Sequence, residues 1–250
     1  MKIFKIMTIL MSLFIAVMVT AQSANNANDE PVRNPDGSYS TSRFNEAERP
    51  DDSYLAKFNA QDVVARLMKK NLDQLHLIKV VSANFGDKGW GGEYDACYEG
   101  YKKAVQYTYQ RNMVYARHEF EINRKAINDV LKKIAAEYEK DSKALLDETI
   151  QQILTLHFNE KIQADPSKSK QLMENQVRLR IGYVQYDDGC FYSLLENYEA
   201  AIYYFRQSKA YSITVLEDLA KPEELASLKQ KYQVHKADYM NRIFNKPATN

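Results

Sequence analysis

The sequence predicts an all-α protein of elongated shape, in which one very long central helix, continuous or kinked, is packed by shorter helices. Residues 93–164 contain no proline and a single glycine, Gly100. Apolar residues in this stretch recur about every 3.6 residues, as on one face of an amphipathic helix. No segment alternates apolar and polar residues with period two, so we expect no sheet.

The length of this central helix is the reason to expect an elongated molecule. Residues 101–164 as a single helix would extend about 95 Å, at about 1.5 Å per residue. A compact domain of 250 residues has a radius of gyration of roughly 17 Å and a diameter of about 45 Å. Either the helix breaks, or the molecule is elongated.

The shorter helices follow from apolar spacing, and their ends follow from glycine and proline. A first helix is predicted over residues 59–81 with Asn59 as its N-cap, and the glycine-rich segment 82–93 should turn the chain. Five apolar residues identify a helix over residues 169–185: Leu172, Met173, Val177, Ile181 and Val184. The other predicted boundaries are a break at Asp165-Pro166-Ser167, a turn at Asp187-Asp188-Gly189, a helix over residues 191–220 and a last helix from Pro222.

The start of the chain divides into two predicted segments before the helical domain of residues 55–250. Met1 to Ala21 has two lysines, an apolar run and small residues at the cleavage positions, which is typical of a secretory signal peptide. Residues 22–54 form a polar leader with three prolines, predicted to be disordered or extended. The leader is either a spacer or an arm that docks onto a neighbouring subunit. We expect an exported protein whose mature form has no membrane span.

Charge and aromatic content narrow the class of partner. The 34 basic and 33 acidic residues give a formal net charge of +1, so no basic excess is present to neutralise nucleic-acid phosphates. We therefore expect no nucleic-acid partner. The 18 tyrosines against one tryptophan suit helix cores with wet edges and also protein interfaces. Trp90, within the glycine-rich segment, is either folded onto the core or exposed as an anchor for another protein.

The two cysteines, Cys97 and Cys190, leave two alternatives open. In an oxidising compartment they could form a disulfide, worth about 4 kcal/mol in the chain-entropy model. Otherwise they are two buried thiols.

The sequence contains no recognisable catalytic or metal-binding pattern. The four histidines are scattered along the chain without a His-Glu-x-x-His pattern, and no nucleophile elbow occurs. His118 and Glu119, with Glu121, are the nearest approach to a metal site, but adjacent residues on a helix face different directions. We expect no enzyme activity, no metal and no cofactor. An exported enzyme would need a pocket assembled from distant residues.

Four features together resemble the flagellar-coiling proteins of leptospiral spirochaetes. They are the signal sequence, the polar leader with its prolines, the segment Tyr94-Asp-Ala-Cys-Tyr-Glu-Gly-Tyr101 and the tract Arg124-Lys-Ala-Ile-Asn-Asp-Val-Leu-Lys-Lys-Ile134. The resemblance implies a periplasmic, non-catalytic component of the sheath around the flagellar core filament, which helps to curve the filament and supports motility. The implied partners are core flagellin-type subunits and other sheath proteins.

Within this interpretation, aromatic residues near the start of the long helix are the candidate partner contacts. They are Trp90, Tyr98, Tyr101, Tyr107 and Tyr109. The alternative function is an exported helical adaptor that binds a peptide or protein, because the pattern Leu195-x-x-Tyr198-x-x-Ala201-Ile202-x-x-Phe205 looks like half of a tetratricopeptide motif. A similar Tyr101, Ala104, Val105 pattern lies 97 residues earlier, which is not the period of that repeat.

Overall fold

The computed structural model describes residues 53–244, and every regular element within them is helical. The helices are α1 (Tyr54–Asn84), α2 (Trp90–Tyr109), α3 (Met113–His157), α4 (Glu160–Gln163), α5 (Pro166–Leu194), α6 (Tyr198–Leu219), α7 (Pro222–Lys231) and α8 (Gln233–Tyr239), with a 3₁₀ turn at Gly86–Lys88. The all-α prediction is confirmed. The signal peptide predicted at residues 1–21 and the leader up to residue 52 lie outside the described residues, as do residues 245–250.

The chain divides within α1 into two units, Met1–Asn59 and Ala60–Asn250. In the first, Ser53 precedes α1, and its hydroxyl accepts a hydrogen bond from the Ala56 N–H at 3.2 Å. A serine that binds an N–H of the first turn is a good helix start. The helix therefore begins at Tyr54, five residues before the predicted start at Asn59, and Tyr54 belongs to the helix, not to the leader.

In the second unit, α3 is the long central helix packed by shorter ones, as the sequence predicts. It has 45 residues, about 68 Å at about 1.5 Å per residue. The beginning of α3 packs on α1 and α2 through Phe120 and Ala116. Its middle joins α1, α2 and α6 in the largest core cluster, around Ile127, Leu131 and Ile134. Its last third packs on α5 and α6. One helix thus connects two groups of shorter helices.

The long helical stretch over residues 93–164, predicted to be either continuous or kinked, is interrupted twice, at residues 110–112 and at residues 158–159. At the first break, Arg111 is left-handed with φ of 59°. The Asn112 N–H donates to the Tyr107 carbonyl at 3.0 Å, and the Arg111 N–H donates to the Thr108 carbonyl at 3.0 Å. This is a Schellman cap, which normally uses glycine at the left-handed position. A prediction of helix ends from the positions of glycine and proline therefore misses this break.

Two further Schellman caps also use non-glycine residues. Glu196 has φ of 57° and ends α5, with the Asn197 N–H donating to the Tyr192 carbonyl at 3.0 Å. Asn241 has φ of 54° and follows α8, with the Arg242 N–H donating to the Ala237 carbonyl at 2.9 Å. In each case one cap satisfies carbonyl groups at a helix end.

The turn predicted at Asp187-Asp188-Gly189 is wrong, because α5 continues through it to Leu194. The helix predicted over residues 191–220 accordingly begins only at Tyr198. Gly189 is required for packing: a Cβ atom there would lie 2.6 Å from Cε1 of Phe205 on α6. A missing side chain lets two helices approach closely, and here that need explains the glycine.

The proline-based boundaries are confirmed. Asp165 caps α5, its Oδ1 accepting from the N–H groups of Ser167 at 3.0 Å and Lys168 at 3.3 Å, and Pro166 occupies the first turn. Pro222 begins α7 in the same way, after Lys221 in an extended conformation. Proline suits the first turn because its missing N–H would have no intrahelical partner.

A buried amide pair fixes the position of α1 against α3. The Nδ2 of Asn123 donates to the Oδ1 of Asn71 at 3.0 Å, and the Nδ2 of Asn71 donates to the Leu67 carbonyl at 2.9 Å. Both side chains are buried. Because an unpaired amide in the core would be costly, sliding α1 along α3 is disfavoured. Gly100 of α2 lies against the same Asn123 side chain, so the three helices meet at this point.

Candidate functional site

Three tyrosines form a row along α2. Their spacing of four and three residues places Tyr94, Tyr98 and Tyr101 on one face of the helix. The rings of Tyr94 and Tyr98 stack with centroids 5.8 Å apart and planes at 9°, and those of Tyr98 and Tyr101 are 6.4 Å apart at 11°. We call this set the tyrosine row. Its central member, Tyr98, is 38% exposed, and the ammonium of Lys102 lies 5.2 Å from its ring centroid.

The inner edge of the tyrosine row is anchored in the core. The ring centroid of Tyr101 lies 5.7 Å from that of Phe120 on α3. Tyr94 and Tyr101 are partly buried against the core, and this burial raises the pKa of both hydroxyls. Both side chains are therefore neutral at ordinary pH and present a flat apolar surface with a polar tip, the character of interface aromatics.

The other predicted contact residues divide between surface and core. Tyr109, at the end of α2, is 84% exposed. Tyr107 is buried and stacks on Tyr115 with centroids 5.9 Å apart. Trp90 is 6% exposed and belongs to the largest core cluster, so it is folded onto the core and is not an exposed anchor. Tyr107 and Trp90 are thus not offered to a partner in this conformation. Replacing Trp90 by alanine would damage the core and would not test a contact.

Both cysteines are free, so the disulfide between Cys97 and Cys190 is not formed. Cys97 is buried in the largest cluster, and Cys190 is half-buried against it. Burial raises the pKa of both thiols. Since the thiolate is the reactive form, both groups are held in a poorly nucleophilic state.

A buried ion pair joins α6 to α8, a feature that the sequence analysis missed. The guanidinium of Arg206 binds Asp238 through Nη2 to Oδ1 at 2.6 Å and through Nε to Oδ2 at 3.1 Å. The hydroxyl of Tyr138 on α3 donates to Asp238 Oδ2 at 2.7 Å. Burial raises the pKa of Tyr138 well above its ordinary value, which keeps the donor proton in place. A two-pronged pair with a third donor satisfies a buried carboxylate well.

Two more titratable groups lie beside this pair. Lys209 is 2% exposed, its Nζ is 3.6 Å from the ring centroid of Tyr138, and it has no hydrogen-bond partner among the described residues. Burial lowers the pKa of Lys209 to about 8. Burial, aided by the positive charge of Lys209, lowers the pKa of His235 to about 4. We call Tyr138, Arg206, Lys209, His235 and Asp238 the buried charge cluster. It ties the C-terminal segment to α3 and α6.

A groove of about 900 Å³ lies between α1, α6 and the segment after α8. Its lining combines apolar and aromatic side chains, such as Leu72, Tyr203 and Tyr239, with polar ones, such as His76 and Glu199. The Nη1 of Arg206 reaches its edge, donating to Asn241 Oδ1 at 3.2 Å. Arg206 thus belongs both to the lining of the groove and to the buried charge cluster.

Within residues 53–244, no group of three or more histidine, cysteine or acidic residues is placed to hold a metal ion. At the position considered from sequence, Glu119 forms an ion pair with Lys103 at 2.7 Å and Glu121 forms one with Arg117 at 2.9 Å. In the same part of the chain, no helix has the length and hydropathy that crossing a membrane requires.

Comparison of the chain with protein-family models, curated proteins and solved structures found no match in any of the three.

Proposed function

We propose that this chain is a non-enzymatic structural protein of the periplasmic flagellar sheath, which contributes to filament curvature and motility. The observation that supports the proposal most directly is the tyrosine row, extended by the exposed Tyr109. Stacked tyrosines hold each other in place, so a partner that binds them does not have to order flexible side chains. The resemblance of the sequence to flagellar-coiling proteins directs the choice of partner to core flagellin-type subunits and other sheath proteins.

The fold offers a physical mechanism for such a role. The 45-residue helix α3, held on both sides by shorter helices, is a stiff element that keeps the tyrosine row in a fixed direction. Many copies along a filament, each bound through a modest surface, add weak contacts into firm binding. Binding that covers one side of the filament more than the other then biases its curvature.

The experiment is to express variants in the source cell, isolate periplasmic filaments, wash them in salt and quantify this protein by blotting. We expect the natural protein to stay bound, and Tyr98→Ala combined with Tyr109→Ala to reduce the bound amount at least about tenfold. Tyr203→Ala is the matched control, because it removes an exposed tyrosine of α6 that lies outside the tyrosine row. If the natural protein washes into the free periplasmic fraction, the sheath assignment fails.

The groove beside α6 supports a second candidate, an exported adaptor that binds a peptide. Its volume and mixed apolar and polar lining are of the kind that holds a short ligand. The same variants separate the two functions. An adaptor should lose its partner with Tyr203→Ala and keep it with the Tyr98 and Tyr109 changes, which is the reverse of the sheath result. Capture of periplasmic proteins on the immobilised natural protein, compared with both variants, measures this difference.

A further inference from the structure

Helix α5 and the residue that caps its C-terminus, Leu195, expose a stripe of large apolar side chains on the face that points away from the core. The stripe consists of Met173, Val177, Ile181, Val184, Phe191 and Leu195, whose exposed fractions are 64%, 52%, 37%, 51%, 56% and 59%. We call it the outer stripe. Successive members are separated by four, four, three, seven and four residues. From Ile181 to Leu195 the positions follow the three-and-four spacing of a coiled-coil seam, with Asp188 as the one acidic position between Val184 and Phe191. Single exposed apolar residues are ordinary, but an apolar line of about 33 Å on one helix marks an interaction surface.

The opposite face of α5 already has its partners. It buries Leu172, Asn175, Leu179, Gly182 and Gly189 against α3 and α6. The outer stripe is therefore not a second core face of the same fold. It is an unpartnered apolar surface on a 29-residue helix, and the seam spacing fits another helix.

The charges of α5 indicate which helix it fits. On the side of the outer stripe, the half nearer the N-terminus carries exposed Lys170 and Arg180 with one acidic residue, Glu174, and the far end carries Asp187, Asp188 and, just past the helix, Glu196. A parallel copy would place basic residues against basic ones. An antiparallel copy would place the basic half of each helix against the acidic half of the other, which is favourable at both ends.

The pair Arg180 and Asp187 makes this argument specific. The two residues are exposed, seven positions apart, and therefore on the same flank of the outer stripe. Neither forms an ion pair with another described residue. In an antiparallel pair with its two-fold axis at Val184, Arg180 of one copy lies on the same flank as the partner's Asp187 and within one residue of its level, about 1.5 Å along the helix, and symmetry forms the same contact twice. Val177 then lies opposite the partner's Phe191, and Met173 lies opposite the partner's Leu195.

We propose that the outer stripe binds the same stripe of a second copy of this chain, with the two α5 helices antiparallel. Six apolar side chains of on the order of 100 Å² each, counted on both copies, bury about 1,200 Å² before any flanking residue is added, which reaches the about 1,200–2,000 Å² of a standard interface. The pairing does not depend on the sheath assignment, and it leaves the tyrosine row on α2 free for a different partner.

The test is analytical ultracentrifugation of the purified exported protein over a concentration series. We expect the natural protein to dimerise and Val184→Glu, which sets two carboxylates at the axis, to raise the dissociation constant at least about 100-fold. Phe158→Glu is the matched control: this residue is 77% exposed and lies outside the stripe, so dimerisation should not change. Circular dichroism verifies that each variant is folded.

Charge exchange tests the orientation separately from the apolar contact. Arg180→Asp alone and Asp187→Arg alone should each weaken the dimer about tenfold, because two like-charged contacts form in place of two ion pairs. The variant carrying both changes should return to within about threefold of the natural protein. A natural protein that stays monomeric throughout the series overturns the proposal. So does a dimer that tolerates Val184→Glu, or a monomer that dimerises only when residues 22–52 are removed, since the leader would then be the occupant.

Discussion

The close approach of α5 and α6 at Gly189 gives the sharpest test of the packing. An ideal Cβ atom at this position would lie 2.6 Å from Cε1 and 2.7 Å from Cδ1 of Phe205. Favourable carbon–carbon contacts are about 3.5–4.0 Å, so Gly189→Ala forces an overlap of about 1 Å with two ring atoms. Phe205 has no exposed surface, and a side chain in a close-packed interior can move only by displacing its neighbours.

Two opposing effects set the magnitude for Gly189→Ala. Overpacking a dense core typically costs about 1–3 kcal/mol, and the double overlap favours the upper part of that range. Replacing glycine by alanine within a helix contributes about 1 kcal/mol in the other direction. We therefore expect the free energy of unfolding to fall by about 1–2 kcal/mol. Urea unfolding followed by far-UV circular dichroism measures it.

Gly92→Ala is the matched control, since it is the same substitution in the first turn of α2 with nothing within 4 Å of the new Cβ. It should raise the free energy of unfolding by about 0.4–1 kcal/mol, because alanine restricts the unfolded chain. The two substitutions should thus have opposite signs. In a Phe205→Leu background the smaller side chain relieves the overlap, and Gly189→Ala should cost less. A Gly189→Ala protein at least as stable as the natural one would refute the close packing of these helices.

Three further predictions concern the buried charge cluster. Asp238→Asn should lower the free energy of unfolding by about 3–5 kcal/mol in urea titrations, since it leaves Arg206 as an uncompensated buried charge. Replacing both residues by apolar ones should cost less, which would verify this cause. His235 has a folded-state pKa of about 4 against about 6.5 when unfolded, so the unfolded chain binds its proton first and stability should fall by about 2 kcal/mol between pH 7.5 and pH 5. His235→Phe should remove that part of the slope, and an unchanged slope would contradict the assignment. Lys209 has a folded-state pKa of about 8, below the unfolded value, so its charged form destabilises the fold at neutral pH. The free energy of unfolding should therefore rise as the pH rises toward about 10.5. Lys209→Met should raise the free energy of unfolding at pH 7 and abolish this rise with pH.

The helix boundaries show which structural signals a single sequence contains. The ends at Asp165-Pro166 and Lys221-Pro222 could be predicted, because proline acts through its own backbone whatever surrounds it. The ends at Arg111 and Glu196 could not, because nothing in these residues favours a left-handed backbone and the surrounding fold imposes it. The one local hint was the asparagine that follows each of them, a common N-cap for the next helix.

The candidate functional site also has one part that could be predicted from the sequence and one that could not. The tyrosine row follows from spacing along one helix, so the sequence could identify Tyr98 and Tyr101 as neighbours. The buried charge cluster joins residues from three helices, and such a contact leaves no local pattern. In sequence, Arg206 and Lys209 resemble the solvated face of an amphipathic helix, as most such residues are. In the structure both side chains are buried, and among the described residues only Arg206 is compensated by an ion pair, with Asp238.

Helix α5 shows why spacing alone could not assign the buried face. Four of the five apolar residues by which the sequence marks this helix, Met173, Val177, Ile181 and Val184, are exposed. The face that packs on α3 and α6 contains Asn175, Gly182 and Gly189 instead, because close helix approach requires small side chains. The two faces thus have different chemistry: a small-residue face suited to tight contact within the chain, and a large apolar face with oppositely charged ends. An exposed apolar face without a partner would favour aggregation. A self-complementary pairing of α5 removes that liability with the residues already present, and this is the physical reason to test dimerisation before any other interaction of the protein.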